Sequence, residues 1–173
     1  MALARPPPSA ITVAPGSSRP IRAARQPPGQ EARQAHQLGG GRSAGLGLPG
    51  ATQELVKLPA SQINGCGFRT DMHAKDALHA GETQQRLNLV AAWREATVFT
   101  EAERAALELA EQGTRIADAA AGVTDEARAN AARHYDDDQL VALVAVIALV
   151  NAYNRMNVIV RQPAGDYQPG QLG

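Results

Sequence analysis

From Ala51 onward, apolar residues recur at the spacing of one helical face, whereas residues 1–50 show neither a helical nor a strand period. Leu55, Val56, Leu58 and Ile63, with Thr52 and Glu54 among them, predict a short helix ending near Asn64. Pro59 lies inside it, where proline removes a hydrogen bond and crowds the Leu55 carbonyl at a cost of ~3 kcal/mol, so a kink or an early end is expected. A second helix should start at about Gly65, because Asn64-Gly65 reads as a turn and N-cap pair, and run to Ala80 before Gly81, a good C′ residue. A third is expected from Thr83 to Glu95, with Leu87, Val90, Ala91 and Trp93 facing inward.

Thr100-Glu-Ala-Glu103 is a capping box, and it opens a helix to about Asp118 with Ala105, Leu107, Leu109, Ala110 and Ile116 available for packing. A loop over 119–124 and a shorter helix over 125–133 follow. Asp136-Asp-Asp-Gln139 repeats the cap, with three acids at the positive end of a helix over 137–157. That helix is apolar on every side from Leu140 to Val150, which predicts burial at the centre of the fold or in a subunit interface. No strand pattern competes. The expected fold class is all-α: a helical bundle over residues 47–161, a disordered arm over 1–46 and a frayed tail over 162–173.

Composition supports helices, since aromatic residues make up 3% of the chain and alanine is abundant. The formal charge of zero hides an uneven distribution. Residues 1–50 hold six arginines against the single acid Glu31, and the remainder carries eleven basic against sixteen acidic side chains. The first fifty residues also contain eight prolines and eight glycines, a composition that cannot build a core. Their arginines are scattered and lack interleaved aromatics, so a solvated arm is expected rather than a nucleic-acid site. The prolines also argue against a transit peptide and a signal peptide. The longest apolar run, Leu140 to Val150, falls short of the ~20 residues that span a bilayer. A soluble, cytoplasmic protein with no membrane or nucleic-acid partner is expected.

Candidate chemistry gathers in Leu58 to His73. Cys66 is the chain's only cysteine, which excludes an intramolecular disulfide and any dithiol cycle within one chain. In the first turn of a helix, unpaired N–H groups and the positive end of the dipole favour a thiolate over a thiol. Cys66, Arg69 and His73 stand at i, i+3 and i+7, which puts a thiol, a cation and a base on one face. The bland alternatives are a small buried hydrophobe for Cys66, a core or surface histidine for His73 and a solvated helix residue for Glu54. A zinc site from Cys66, His73, His79 and Glu54 is disfavoured, because the Cys-x6-His spacing matches no common zinc pattern. No metal and no cofactor are expected.

Glu54-Leu-Val-Lys-Leu58, Ser61-Gln-Ile-Asn-Gly-Cys66, Met72-His73, Trp93-Arg-Glu95, Phe99-Thr-x-x-Glu-Arg104 and Asn151-x-Tyr-Asn-Arg155, in this order and spacing, resemble the alkylhydroperoxidase D-like branch of the carboxymuconolactone decarboxylase family. The resemblance covers about residues 47–160. It implies an all-α fold whose subunits assemble into trimers or hexamers through long apolar helices. It also implies reduction of hydroperoxides by a Cys-x-x-Cys pair followed by x-x-x-His, with a glutamate twelve residues before the first cysteine. On that pattern Glu54 matches the relay glutamate, Cys66 the first cysteine and His73 the histidine, while Arg69 occupies the place of the second cysteine. The resemblance implies that the second cysteine attacks the peroxide and the first resolves the sulfenic acid, so this chain keeps the resolving thiol and lacks the attacking one. Pro59 stands where the family has an ordinary helix former, and the Pro/Gly/Arg-rich arm stands where it has one or two further helices.

Two functions follow. The first is an antioxidant thiol peroxidase in which Cys66 attacks a hydroperoxide, Glu54 and His73 move the protons, and an external thiol or disulfide reductase completes a one-cysteine cycle. The second is a non-catalytic helical oligomer that keeps only the fold. A carboxymuconolactone decarboxylase-type enzyme is the weaker third reading, because the match lies on the redox branch.

Overall fold

The computed structural model describes residues 47–119 and 121–172. Among them the chain forms α1 (Gly50–Ile63), α2 (Gly67–His79), α3 (Gln84–Leu89), a 3-10 turn over Val90–Ala92, α4 (Glu101–Thr114), α5 (Asp125–Ala132) and α6 (Asp137–Ile159), with no strand. The arm expected over residues 1–46 lies outside the described residues.

Helix α1 organises the bundle because it is apolar on two sides. Val56 enters a core built with Ala106, Leu109, Ala110, Leu143, Val146 and Ile147 of α4 and α6. Leu55 and Leu58 enter a second core with Ala77, Leu87, Val90, Trp93, Phe99 and Leu107. The helix therefore packs against α2, α4 and α6 together. This explains the outcome at Pro59, where the sequence predicts a kink or early end: α1 continues through it to Ile63, because burial of Leu55, Val56, Leu58 and Ala60 on both sides outweighs one lost backbone bond.

Several helix ends follow their local sequence. Thr100 with Glu103 and Asp136 with Gln139 both form complete capping boxes, and Thr83 and Thr124 accept from the N–H groups of Arg86 and Ala127. Gly81, at φ 96, takes the C′ place after α2, with its N–H and that of Glu82 returning to Leu78 and Ala77. Two ends differ from expectation. The third helix ends at Leu89 and passes into the 3-10 turn over Val90–Ala92 instead of reaching Glu95, and just beyond it the Arg104 guanidinium takes the carbonyls of Trp93, Arg94 and Ala96 at 2.9, 2.8 and 2.9 Å. Helix α4 stops at Thr114, short of Asp118, and Ile116 beyond it is 60% exposed rather than packed.

Helix α6 is buried on one face only. Ala142, Leu143, Val146, Ile147, Val150, Asn151 and Asn154 face the bundle, while Val141, Val144, Met156 and Ile159 are exposed. Its 23 residues and a mean hydropathy of 1.5 match a membrane span by length and composition. The row of asparagines along it and its packing on α1, α4 and α5 are features of a core helix. Asn151 donates to Thr114 Oγ1 and accepts from Asn64, and Asn154 accepts from Ser61 Oγ at 3.1 Å, so a polar seam ties α6 to the end of α1.

The tail expected to fray instead folds back on α2. Arg161 adopts φ 54 and, with Gln162, returns N–H groups to Val158 and Asn157, reversing the chain. Lys75 then donates to the carbonyls of Gly165 and Tyr167, the Gly165 N–H reaches Asp71, and the Tyr167 hydroxyl donates to Asp76 at 2.8 Å. Tyr167 is buried edge-on to Phe68, and burial together with the Asp76 carboxylate pushes its hydroxyl up to about 12. A tyrosine and three polar anchors make this stretch part of the fold.

The turn between α1 and α2 rests on Gly65 at φ 65, with open space where a Cβ would sit. Gly65→Ala is therefore expected to lower the unfolding free energy by about 1–2 kcal/mol through backbone strain alone. Urea denaturation measures it, and an unchanged midpoint would contradict this origin of the turn.

Candidate thiol site at the start of helix α2

Asn64-Gly65 ends α1 rather than starting α2. Asn64 is the C-cap, the Gly65 N–H returns to Gln62 and the Cys66 N–H returns to Ser61 at 2.9 Å, the pattern of a Schellman turn. Cys66 consequently sits one residue outside α2, as its N-cap, and not in the first turn as the sequence suggests. Its carbonyl accepts from Thr70, its side chain makes no capping hydrogen bond, and it is 2% exposed. The helix-start position survives; the expected placement within the turn does not.

The three residues predicted to share a face are all buried: Cys66, Arg69 and His73. Glu54 is brought to the same place from α1. Its Oε2 lies 3.1 Å from His73 Nδ1, and its Oε1 accepts from Lys57 Nζ at 2.8 Å. Burial by itself would raise the Glu54 carboxyl, but the His73 hydrogen bond and the Lys57 charge outweigh it and hold the group at about 2. His73 moves the other way, held below its ordinary value by burial despite Glu54, and is neutral at pH 7. A neutral imidazole beside an ionised carboxylate donates from Nδ1. Nε2 is left as an acceptor, buried and without a hydrogen-bond partner. Sequence reasoning missed Lys57, although its i+3 spacing from Glu54 is a readable signal.

Among the described residues, Arg69 forms no ion pair with Glu54 or Asp76. Glu54 is held by Lys57 and His73, and Asp76 by Tyr167. The Arg69 guanidinium lies 4.6 Å over the Tyr153 ring, Nη1 touches the Met72 sulfur at 3.6 Å, and Nε has no acceptor. Burial pulls the group below its ordinary value, partly offset by Tyr153, Cys66, Tyr167 and Asp76. An arginine stays charged even so. The surrounding Tyr153 and the Ser61–Asn154 bond are legible in the sequence only as generic core or interface positions, since they come from a helix more than eighty residues away. Among the described residues, no three histidine, cysteine, aspartate or glutamate side chains gather as a metal site.

Residues 29–112 match the model of the carboxymuconolactone decarboxylase family. The uncharacterized protein YdfG of Bacillus subtilis is 43% identical over 107 residues, which span 62% of this chain and 71% of that protein. The chain belongs to the carboxymuconolactone decarboxylase family. Within it, the alkylhydroperoxidase D-like branch is supported by a crystal structure from Agrobacterium tumefaciens. That protein, of unknown function and a candidate AhpD antioxidant defence protein, has a TM-score of 0.72 and 36% identity, covering 79% of this chain and 92% of the other. The uncharacterized protein YnjA of Escherichia coli is 31% identical over 117 residues, 68% of this chain and 63% of that protein. The family match begins at residue 29, within the Pro/Gly/Arg-rich stretch and ahead of the start expected at 47.

In this family member the buried, neutral His73 makes stability depend on pH. Its folded value lies below the ordinary 6.5, so as pH falls from 6.5 the unfolded chain takes up a proton that the folded chain refuses, and stability drops. The slope approaches ~1.4 kcal/mol per pH unit for one proton. Glu54 adds a loss only below its unfolded value of 4.5, down to about 2. His73→Asn is expected to lower stability at pH 7.5 and to flatten the curve between pH 6.5 and about 5. Denaturation of both proteins across that range checks this, and equal slopes would contradict a neutral His73.

Proposed function

We propose that the protein is an alkylhydroperoxidase D-like antioxidant enzyme that reduces hydroperoxides with one cysteine and an external thiol. The observation that carries this reading is the Glu54–His73 pair: a carboxylate fixes the tautomer of a buried imidazole and leaves Nε2 as a base without a partner, on the helix whose N-cap is Cys66. In the reaction, His73 Nε2 takes the Cys66 proton, directly or through one water. The sulfur then attacks the distal oxygen of the hydroperoxide, the O–O bond breaks, and the proton passes to the departing alkoxide, giving an alcohol and Cys66 sulfenic acid. One external thiol condenses with the sulfenic acid to a mixed disulfide and water, and a second releases the Cys66 thiol and an external disulfide. The external partner is required because no other cysteine exists in the chain to resolve the sulfenic acid.

The same reading includes a cytoplasmic homo-oligomer, a trimer or hexamer. Its support is the apolar outer face of α6, with Val141, Val144, Met156 and Ile159 exposed beside a groove of about 470 Å³ between α4 and α6. A second reading, a helical oligomer that keeps the fold without the chemistry, is favoured by the burial of Cys66 and by the arginine in the second cysteine's place.

The two readings separate at Cys66. After one equivalent of hydroperoxide, a dimedone adduct confined to Cys66 is expected by mass spectrometry; an unmodified thiol would leave only the non-catalytic reading. Arg69→Cys restores the missing pair and is expected to raise turnover at least tenfold with a dithiol reductant, because the sulfenic acid then resolves within the chain.

A further inference from the structure

Arg69 is a cation enclosed by protein, 7% exposed, resting on an aromatic face and a thioether. Neither is an anion, and its Nε–H has no acceptor. The two acids that could have paired with it are committed elsewhere: Glu54 uses one oxygen for Lys57 and the other for His73, and both oxygens of Asp76 face the Tyr167 hydroxyl. A buried charge without a matched counter-ion is unfavourable, and the same desolvation makes any anion that reaches it bind more strongly. About one turn separates Arg69 from Cys66, the N-cap of the same helix and the residue at which the proposed chemistry takes place.

Once the Cys66 sulfur has become a sulfenic acid, the next molecule to arrive is the reducing thiol.

We propose that Arg69 is an anion receptor beside Cys66 and that it selects, as the external reductant, a small thiol bearing a carboxylate. This rests on the peroxidase reading for the identity of the ligand, although the receptor itself does not. The thiol sulfur condenses with the sulfenic acid, releasing water and forming a mixed disulfide, while its carboxylate accepts from the Arg69 Nε–H. A second molecule of the same thiol attacks the mixed disulfide and returns Cys66 as a thiol, so two thiols supply the two electrons. Arginine suits this role because its planar donors match a carboxylate and its charge does not titrate away.

Two measurements on the full chain test the proposal. In the first, propionate and propanol are titrated into protein labelled at the arginine Nε, with the Arg69 signal assigned by its loss in Arg69→Met. Propionate is expected to shift that signal saturably, and propanol to leave it in place; an Arg69 signal indifferent to propionate overturns the receptor. In the second, the sulfenic acid is formed with one equivalent of peroxide, confirmed with dimedone, and reduced by 3-mercaptopropionate, 2-mercaptoethanol or cysteamine. With rates corrected for each thiol's thiolate fraction, the anionic thiol is expected to lead the neutral one by about tenfold or more and the cationic one to trail both. Arg69→Lys should keep the order and Arg69→Met should abolish it. Absence of a sulfenic acid would defeat the peroxidase reading while leaving the propionate result to judge the receptor. A sulfenic acid reduced without regard to thiol charge would defeat the choice of reductant alone.

Discussion

The structure depends on α1 being held from two sides. Leu55 and Leu58 point into one core and Val56 into the other, so the helix has no freedom to tilt without opening both. That constraint carries a proline through the helix and keeps Glu54, on the same helix before Pro59, in register with His73 on α2. It also determines where α1 ends, and hence where the chain turns at Gly65 and presents Cys66. The site is assembled by packing that lies outside it.

Within the site, burial sets the rules. A histidine removed from water is neutral, a carboxylate sharing its two oxygens between a lysine and that histidine is ionised, and an arginine resting on a tyrosine ring is charged without a matched anion. These three states fit proton transfer at one cysteine. They do not replace a second thiol, because an arginine can attract electrons but cannot receive a disulfide bond. On the proposed peroxidase reading, the chain supplies the base and the first thiol, and a partner molecule supplies the reducing equivalents.

Features governed by neighbours along the chain are legible in the sequence alone. The capping boxes at Thr100 and Asp136 and the C′ role of Gly81 are all local. Asn64-Gly65 is ambiguous in sequence, since the same pair can start one helix or end another, and the backbone bonds from Gly65 and Cys66 to the turn before decide for the end. The tail escapes sequence reasoning for a different reason. Tyr167 is anchored by Asp76, 91 residues earlier, and no pattern within the last twelve residues announces a buried tyrosine. Arg104, at the start of the next helix, takes the carbonyls of Trp93, Arg94 and Ala96, which no periodicity over Thr83 to Glu95 announces. Membership of the carboxymuconolactone decarboxylase family is readable from spaced motifs, whereas the Tyr153 ring under Arg69 comes only from the packing of α2 against α6.

The central claim is that a single buried cysteine, with Glu54 and His73 behind it, turns over hydroperoxide when an outside thiol regenerates it. Steady-state consumption of a hydroperoxide by the wild-type protein and by Cys66→Ala, with a thiol donor in excess, tests that most directly. The account predicts turnover above the donor's own background for the wild type and none for the variant. Equal rates for the two proteins would contradict it.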